Sequence, residues 1–312
     1  MKLVVIGTGG IAQKAYFPLL AVMPDVEIIG IHSHTQAHVD KACQRWGYSF
    51  GTTNLEEIVA LKPKAALVIS NTESHYAICR EMLENGIDVY SEKSLTTSSE
   101  QTLDLARFAD EHKRVLAVGF NRRYALLYKQ AKEILGNRKI NLAVIQKHRT
   151  EASNPTLYEQ YLDDTIHQID LMRFYCGDVN PLKTVFEKKN HMVTSAISTV
   201  EIPGGGHGVI MICNHAGSWQ ESVTLHTEGV SIHVDAFQRL RVISDDHEEI
   251  YGTDRAGKWI TGMKERGFYG ELAHFFNCVQ TRGEPFTNAH EAAKTQQLLE
   301  GLILAAGEKI IP

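Results

Sequence analysis

The sequence lacks three features that would place it in a specialised class of protein. No apolar run approaches the roughly 18 residues that a membrane-spanning helix needs, and residues 3–6 already have strand character where a secretory leader would lie. The five cysteines are odd in number, widely scattered and without a Cys-x-x-Cys pair. These absences argue against a membrane protein, a disulfide framework and a Cys-ligated zinc site. They predict a cytoplasmic protein with reduced thiols.

Concentrated positive charge is also missing. The 312 residues carry a formal net charge of −5, and no Lys/Arg cluster forms a basic stripe. Such a surface does not attract nucleic-acid phosphates, so the expected partner is a small molecule, with neither nucleic acid nor membrane. Hydrophobic residues make up 43% of the chain and charged residues 22%, as in ordinary globular proteins. The length allows two domains.

Short runs rich in Val and Ile alternate with helical segments over the first third of the chain. Runs without polar alternation are typical of strands buried on both faces, and repeated strand–helix units predict a parallel sheet covered by helices. We therefore expect an α/β Rossmann domain with a doubly wound parallel sheet over residues 1–119. Its strands are predicted at residues 3–6, 26–31, 65–69, 87–90 and 115–118.

The pattern changes after Phe120. Two helical segments and a strand are followed by successive strands joined by tight turns over residues 184–250, which is typical of an antiparallel sheet. Two further helical segments close the chain. The sequence therefore predicts that residues 120–312 form an α+β domain with a large open, mainly antiparallel sheet.

A glycine-rich turn connects the first predicted strand to the first predicted helix. It reads Gly7-Thr8-Gly9-Gly10-Ile11-Ala12, a G-x-G-x-x-A pattern. Gly7 permits a tight turn, Gly9 lets the backbone approach a pyrophosphate, and Ala12 lets helix and strand pack closely. The helix N-terminus offers free N–H groups to the anion. Inside a βαβ unit this pattern predicts dinucleotide binding, whereas a glycine-rich turn without a ligand is the alternative.

The end of the second strand bears on the choice of dinucleotide, because an acid there accepts from the ribose 2′-OH of NAD. This chain has His32-Ser33-His34-Thr35 and no acid before Asp40. Hydroxyls and an imidazole suit a 2′-phosphate better than a carboxylate would, although no arginine is present. The predicted cofactor is NADP or NAD, with a lean towards NADP, and Ser33 and His34 are candidate contacts.

Lys93 follows the predicted strand at residues 87–90, within Ser91-Glu92-Lys93-Ser94. This is the carboxyl edge of a parallel sheet, where ligands bind in open α/β folds. A lysine here could hydrogen-bond a substrate oxygen and stabilise a developing alkoxide. A solvated surface lysine is the alternative.

Two further pairs of charged residues occur in the second predicted domain. Asp163 and His167 are four residues apart in a predicted helix and so share one face. Together they could exchange a proton with a hydroxyl near neutral pH, although a surface ion pair or half a metal site fits the spacing too. Lys147 and Arg149 alternate onto one face of a predicted strand. They could contact an anionic or polyhydroxyl substrate, or form a solvated face. No metal is expected.

These motifs occur in an order that resembles the Gfo/Idh/MocA family of oxidoreductases. The family's Glu-Lys-Pro signature corresponds to Glu92-Lys93-Ser94, and its Asp-x-x-x-His helix to Asp163 and His167. Ser94 replaces the proline, which removes a constraint on Lys93. Residues 71–75 are similar to the loop and histidine that precede the lysine, and residues 268–276 to the family's ending. The segments 119–123 and 147–149 are most similar to the MviM-like branch.

The resemblance implies an enzyme that transfers a hydride between nicotinamide and a CH–OH group of a polyol, sugar or sugar derivative. It implies that His167 exchanges the proton, Lys93 binds the reacting oxygen and Asp163 orients the group. The family also implies a homodimer or homotetramer formed through the second-domain sheet. A non-catalytic dinucleotide-sensing regulator on the same scaffold is the main alternative, and hydrolytic or lyase chemistry with a retained NAD is another.

The candidate site residues can be stated in full. Predicted cofactor contacts are Gly7, Thr8, Gly9, Gly10, Ile11, Ala12, Ser33, His34, Ser70, Asn71, His75, Glu92 and Lys93. Predicted substrate contacts are Lys93, Arg122, Lys147, Arg149, Asp163 and His167.

Overall fold

The computed structural model describes residues 1–252 and 262–311, and the chain divides into two compact units. The first unit holds residues 1–120 and 268–293, and the second holds the remaining described residues. No helix in the described part of the chain is long and apolar enough to cross a membrane.

The first unit is built on a six-stranded parallel sheet in the order β3-β2-β1-β4-β5-β6. The order reverses beside β1, as in doubly wound folds, and every residue of β4 is buried. The predicted Rossmann fold is confirmed. The short β3 was not predicted, because two residues carry no periodicity. The strands are β1 (Lys2–Ile6), β2 (Glu27–His32), β3 (Gly51–Thr52), β4 (Ala65–Val68), β5 (Asp88–Ser91) and β6 (Leu116–Val118).

The second unit is built on an eight-stranded sheet in the order β14-β13-β12-β11-β7-β10-β9-β8. All its strand pairs are antiparallel except β7 with β10, so the predicted α+β fold is confirmed. The strands are β7 (Ile140–His148), β8 (Asn180–Lys189), β9 (Met192–Glu201), β10 (His207–Cys213), β11 (Gln220–Thr227), β12 (Ser231–Asp235), β13 (Arg239–Ser244) and β14 (His247–Gly252).

The helices of the described chain run in this order: α1 (Phe17–Leu20), α2 (Gln36–Trp46), α3 (Leu55–Ala60), α4 (Thr72–Glu84), α5 (Ser99–Glu111), α6 (Leu126–Leu135), α7 (Leu157–Gln160), α8 (Ile166–Cys176), α9 (Gly262–Glu265), α10 (Phe268–Thr281) and α11 (Ala289–Leu304). Two π-helical turns, Ala12–Tyr16 and Tyr161–Thr165, interrupt segments that the sequence predicts as single helices. The π-helical turn Ala12–Tyr16 ends immediately before α1. Pro18, which lacks a backbone N–H, lies in the first turn of α1.

The division into units differs from the predicted domain boundary in one segment. The sequence assigns residues 268–293 to the second domain, whereas the structure groups them with the first unit. Aromatic packing explains the difference, because Phe268 lies 5.7 Å from Tyr16 and Phe275 lies 5.8 Å from Tyr90, measured between ring centroids. Contacts between residues so far apart in the chain leave no local pattern in the sequence.

Candidate functional site

The glycine-rich turn has the geometry that a dinucleotide needs. Gly7 has a φ of +107°, and a Cβ there would meet the Ile69 carbonyl carbon at 2.5 Å, so only glycine fits. A Cβ at Gly9 or Gly10 would meet no described atom within 4 Å. The backbone at the start of the following helical segment is therefore open to a ligand, and the turn fits a pyrophosphate.

Replacing these glycines should therefore separate folding from cofactor binding. We expect Gly7→Ala to lower the melting temperature, because the methyl group clashes with the Ile69 backbone and the φ is strained. We expect Gly9→Ala to melt like the wild type but to bind NAD(P)H more weakly, because its methyl group would occupy the space of the pyrophosphate. Calorimetric melting and fluorescence titration with NADPH and NADH measure the two effects. Equal cofactor affinity in Gly9→Ala and wild type would contradict the assignment.

The end of β2 is tied back to the turn. The Thr8 hydroxyl donates to the Ser33 hydroxyl at 3.0 Å, and both residues are buried. The Nε2 atom of His32 lies 3.2 Å from the carbonyl oxygen of Thr53, and burial lowers the pKa of the His32 imidazole. Of His32, which ends the strand, and the following Ser33 and His34, only His34 is exposed. His34 is thus the side chain of the three that is accessible to a ribose or its 2′-phosphate.

The segment Glu92-Lys93-Ser94 follows β5, and we call it the Lys93 loop. A buried chain of hydrogen bonds supports it. One carboxylate oxygen of Glu92 accepts from the Tyr16 hydroxyl, and the other accepts from the Lys93 backbone N–H at 3.0 Å. The hydroxyls of Tyr16 and Tyr90 are 2.8 Å apart. Burial, with the nearby Glu92 and Glu271 carboxylates, raises the pKa values of Tyr16 and Tyr90 well above the ordinary phenol value. Both phenols therefore stay protonated. The Tyr16 hydroxyl holds Glu92 in place, and the Tyr90 hydroxyl lies against that of Tyr16.

His75 supports the other side of the same loop. Its Nδ1 lies 2.9 Å from the Ser94 carbonyl and its Nε2 lies 3.0 Å from the Ser70 carbonyl. The ring is 1% exposed, and burial lowers its pKa. His75 thus bridges the end of β4 to the Lys93 loop, whose Lys93–Ser94 peptide bond is cis. A direct contact between His75 and a cofactor stays a prediction, as it does for Ser70 and Asn71 beside it.

The second unit holds a buried ionic network. Lys147 is 2% exposed, and its Nζ lies 2.7 Å from an Asp164 carboxylate oxygen and 2.9 Å from the Asp164 carbonyl. Arg149 binds the same carboxylate. Burial lowers the pKa of Lys147 to about 8 against the opposing charge of Asp164. Burial also raises the pKa of Asp164, but Arg149 and Lys147 outweigh it and lower that pKa to about 2.

A second ion pair lies beside this network. Arg122 makes two hydrogen bonds of 2.9 Å to Glu221, and Tyr128 donates to the same carboxylate at 3.2 Å. Glu221 lies opposite Lys147 across β7 and β11. Burial opposes ionisation of Glu221, but Arg122 outweighs burial and lowers its pKa. The structure thus brings together Arg122, Lys147 and Arg149, which the sequence predicts separately.

The Asp164 ion pairs predict an acid-sensitive contribution to stability. The pKa of Asp164 falls from 3.8 to about 2 on folding. Its contribution is therefore fully present above about pH 4 and is lost as the pH falls towards 2. We expect the difference in unfolding free energy between wild type and Asp164→Asn to narrow over this window, and urea denaturation from pH 5 to pH 2.5 measures it. A constant difference across the series would show that the charge of Asp164 contributes nothing.

A cavity of about 410 Å³ adjoins the network. Asp163 is exposed on the π-helical turn, and His167 is 7% exposed at the start of α8. The helix break therefore falls between these two candidates. The lining residues are Arg149, Thr150, Glu151, Ser153, Asp163, Asp164 and Trp219.

Several residues of the site were missed by the sequence analysis. Asp164 adjoins the candidate Asp163, but nothing in the sequence indicates which of the two acids turns towards Lys147. Glu221 meets β7 only through the register of two strands that are about 70 residues apart in the chain, and Trp219 lies just before the second of them. Tyr16 and Tyr90 carry no motif. The alternation of apolar Val223 and Leu225 with polar residues in β11 is a local signal that could have marked Glu221, two residues before Val223, as an inward-facing acid.

Comparisons with known proteins agree with this architecture. The family model described as "Oxidoreductase family, NAD-binding Rossmann fold" matches residues 1–120. The protein YceM of Salmonella typhimurium strain LT2 is 30% identical over 312 residues, which cover 97% of this chain and 97% of YceM. The chain belongs to the Gfo/Idh/MocA oxidoreductase family.

Other Gfo/Idh/MocA relatives are more distant in sequence. An inositol 2-dehydrogenase/D-chiro-inositol 3-dehydrogenase from Halalkalibacterium halodurans is 29% identical over 239 residues, which is 71% of this chain and 66% of that protein. The crystal structure of the dehydrogenase MviM from Clostridium difficile superposes with a TM-score of 0.88 at 25% identity, covering 96% of this chain and 97% of MviM. The predicted family and its MviM-like character are confirmed. The cofactor of the first unit is accordingly NAD or NADP.

Proposed function

We propose that the chain is an NAD(P)-dependent dehydrogenase or reductase that transfers a hydride between the nicotinamide and a CH–OH group of a polyol, sugar or sugar derivative. The family assignment supports the redox class, and the inositol dehydrogenases among the relatives support the substrate class. When bound, the nicotinamide supplies the hydride chemistry. The remaining tasks, which are binding the reacting oxygen and moving its proton, fall to side chains of this chain.

The observation that carries the proposal is the buried support of the Lys93 loop. Tyr16 and Glu92 hold the loop from one side, and His75 holds it from the other. Both the loop and the glycine-rich turn lie at the carboxyl edge of the same parallel sheet, where such folds bind ligands. A fixed lysine at that edge can hydrogen-bond a substrate oxygen and stabilise negative charge that develops on it.

We infer that the second unit supplies the proton-handling groups and the substrate pocket. His167 exchanges the proton of the reacting hydroxyl, because an imidazole can do so near neutral pH. Asp163 orients His167 and tunes its charge. Arg122, Lys147 and Arg149 are the proposed substrate-binding cations: Arg149 lines the cavity, Lys147 holds the lining residue Asp164, and Arg122 forms the adjacent ion pair with Glu221.

The choice between the two cofactors rests on the end of β2. No acid follows this strand before Asp40, and the exposed His34 can approach a 2′-phosphate. We propose NADP as the preferred form. Isothermal titration with NADP and NAD tests this preference, and tighter binding of NAD would reverse it.

A binding screen followed by a turnover assay tests the function. Ligand binding raises the melting temperature by mass action, so NAD(H) and NADP(H) are screened alone and then with a polyol and sugar panel. Compounds that add to the cofactor shift are assayed for a change in reduced-nicotinamide absorbance. Turnover that depends on His167 supports the dehydrogenase. A cofactor shift without turnover of any compound that binds would favour the dinucleotide sensor.

We also propose that the open face of the eight-stranded sheet carries a homo-oligomer contact. Strand register aligns Leu142, Val185, Ile197 and Ile250 on one face. They are 39%, 49%, 44% and 59% exposed in the single chain. Apolar exposure on one broad face is typical of an interface. Light scattering should give the mass of a dimer or tetramer for wild type and a smaller mass for Ile197→Glu. A monomeric wild type would refute the contact.

A further inference from the structure

Trp219 is the one aromatic side chain among the described residues that line the 410 Å³ cavity of the second unit. It lies just before β11, one residue beyond the pair formed by Gln220 and His148. Alternation along the strands therefore points Trp219 to the same face as Glu221 and Lys147. The indole is 37% exposed, so a large apolar surface remains open beside a polar cavity.

The indole is held in place from within the protein. The ring of Phe237 lies nearly parallel to it, with an interplanar angle of 12° and centroids 6.4 Å apart. The Arg266 guanidinium lies 5.7 Å from the Trp219 ring and 4.8 Å from the Phe237 ring. The guanidinium of Arg122, which pairs with Glu221, lies 5.7 Å from the centroid of the Phe237 ring. A fixed indole loses little conformational freedom when a ligand packs on it.

The remaining cavity wall is polar, and its charge is predominantly negative. Glu151, Asp163 and Asp164 supply three carboxylates, and Arg149 is the one cation among the lining residues that the structure describes. Lys147 behind the wall also pairs with Asp164, so a net negative charge of one remains. Such a wall offers hydrogen bonds to hydroxyl groups but opposes a phosphate or carboxylate. The volume suits a single ring, since small-molecule sites range from about 300 to 1,000 Å³.

We propose that Trp219 is a specificity-determining residue that stacks on the apolar face of an uncharged, hydroxylated six-membered ring. Such a ring has C–H groups on its faces and hydroxyls on its edge, so it matches an indole on one side and carboxylates on the other. An open-chain polyol carries hydroxyls around its whole length and presents no continuous apolar face. A sugar nucleotide adds phosphates that the carboxylates repel. The proposal deepens the proposed dehydrogenase function and rests on it for the role of the cavity.

A matched set of ligands and variants tests this role. In the presence of saturating NADP, isothermal titration calorimetry measures the binding of myo-inositol and glucose as rings, sorbitol as the open-chain hexitol, and UDP-glucose as the charged derivative to every variant. Quenching of Trp219 fluorescence is followed in parallel in the proteins that retain this residue. The variants are Trp219→Phe and Trp219→Leu, which keep and remove the aromatic ring. Phe186→Leu, at a β8 position of the same unit away from the cavity, controls for loss of an aromatic. The other tryptophans, Trp46 and Trp259, supply the background signal.

The expected result is that at least one ring quenches Trp219 and binds about three- to tenfold more tightly than sorbitol, as an aromatic contact provides. Trp219→Leu should lose this preference, Trp219→Phe should keep most of it, and Phe186→Leu should leave it unchanged. Equal or tighter binding of sorbitol, tighter binding of UDP-glucose than glucose, or no quenching by either ring would overturn the proposal. Hydride transfer is scored separately by absorbance. Ring selectivity without turnover supports the stacking role while contradicting the dehydrogenase.

Discussion

Replacing Lys93 with methionine is expected to lower kcat by about 100-fold or more while leaving the Kd for NAD(P) within a few-fold of wild type. Loss of a group that stabilises developing charge on a reacting oxygen typically costs turnover by about 10²–10³-fold. We expect the predicted contact of Lys93 with the cofactor to add little to affinity, because the backbone around Gly9 is open and its free N–H groups would bind the pyrophosphate. Steady-state kinetics together with fluorescence titration of NADPH measure the two quantities on one preparation.

The matched control for this substitution is Lys41→Met. Lys41 is an exposed lysine of α2 in the same unit, so the variant removes an equal charge from the surface of that unit. It should retain wild-type turnover. If Lys93→Met also retains wild-type kcat, Lys93 is a solvated surface lysine and the proposed mechanism is wrong. Parallel loss of turnover and of cofactor affinity would instead mean that the loop had collapsed. Melting temperatures of the two variants distinguish that case.

Replacing Glu221 with alanine is expected to lower the free energy of unfolding by about 3–5 kcal/mol, the usual result of removing one partner from a buried ion pair. The Glu221 side chain is fully buried and that of Arg122 is 11% exposed. The substitution leaves the guanidinium without its bidentate acceptor and Tyr128 without the acceptor for its hydroxyl. Most of the loss is the cost of an uncompensated buried charge.

Glu248→Ala provides the control for the Glu221 substitution. Glu248 pairs with Arg241 at 3.4 Å, with the two side chains 42% and 36% exposed. Surface pairs of this kind contribute about 0–1 kcal/mol. Urea denaturation of both variants should therefore show a large loss for Glu221→Ala and almost none for Glu248→Ala. Similar small losses of unfolding free energy in both variants would mean that solvent or a rearrangement of nearby groups stabilises the charge of Arg122. The Arg122–Glu221 ion pair would then contribute little to the stability of the second unit.

Both sheets of the protein could be predicted from the sequence because their signals are local. The buried strands of the first unit are unbroken apolar runs, and the tight turns between residues 184 and 250 mark a meander. The π-helical turns could not be predicted, because Ala12–Tyr16 and Tyr161–Thr165 keep the apolar spacing of a helix. The sequence also does not place residues 268–293 in the first unit. That placement depends on Phe268 and Phe275, which pack against tyrosines that are distant in the chain.

The candidate site also combines features with a local sequence signal and features that depend on contacts between distant residues. The glycine-rich turn is recognisable because its chemistry lies in six consecutive residues. The support of Lys93 by Tyr16 is invisible in sequence, because the two lie 77 positions apart and meet only through Glu92. The same holds for Glu221, which reaches Arg122 across 99 residues. Local motifs therefore supply the candidate chemical groups, whereas the groups that position them depend on strand register and packing.

Isotope transfer from a labelled substrate tests the central claim most directly. A ring compound from the panel, deuterated at the carbon that bears the reacting hydroxyl, is incubated with the protein and oxidised NADP or NAD, and the reduced cofactor is analysed by mass spectrometry. Direct hydride transfer predicts one deuterium in the reduced nicotinamide with wild type and with Lys41→Met, and at least a ~100-fold slower appearance of label with Lys93→Met. Reduced cofactor that forms without deuterium, or labelling that is equally fast without Lys93, would contradict the account.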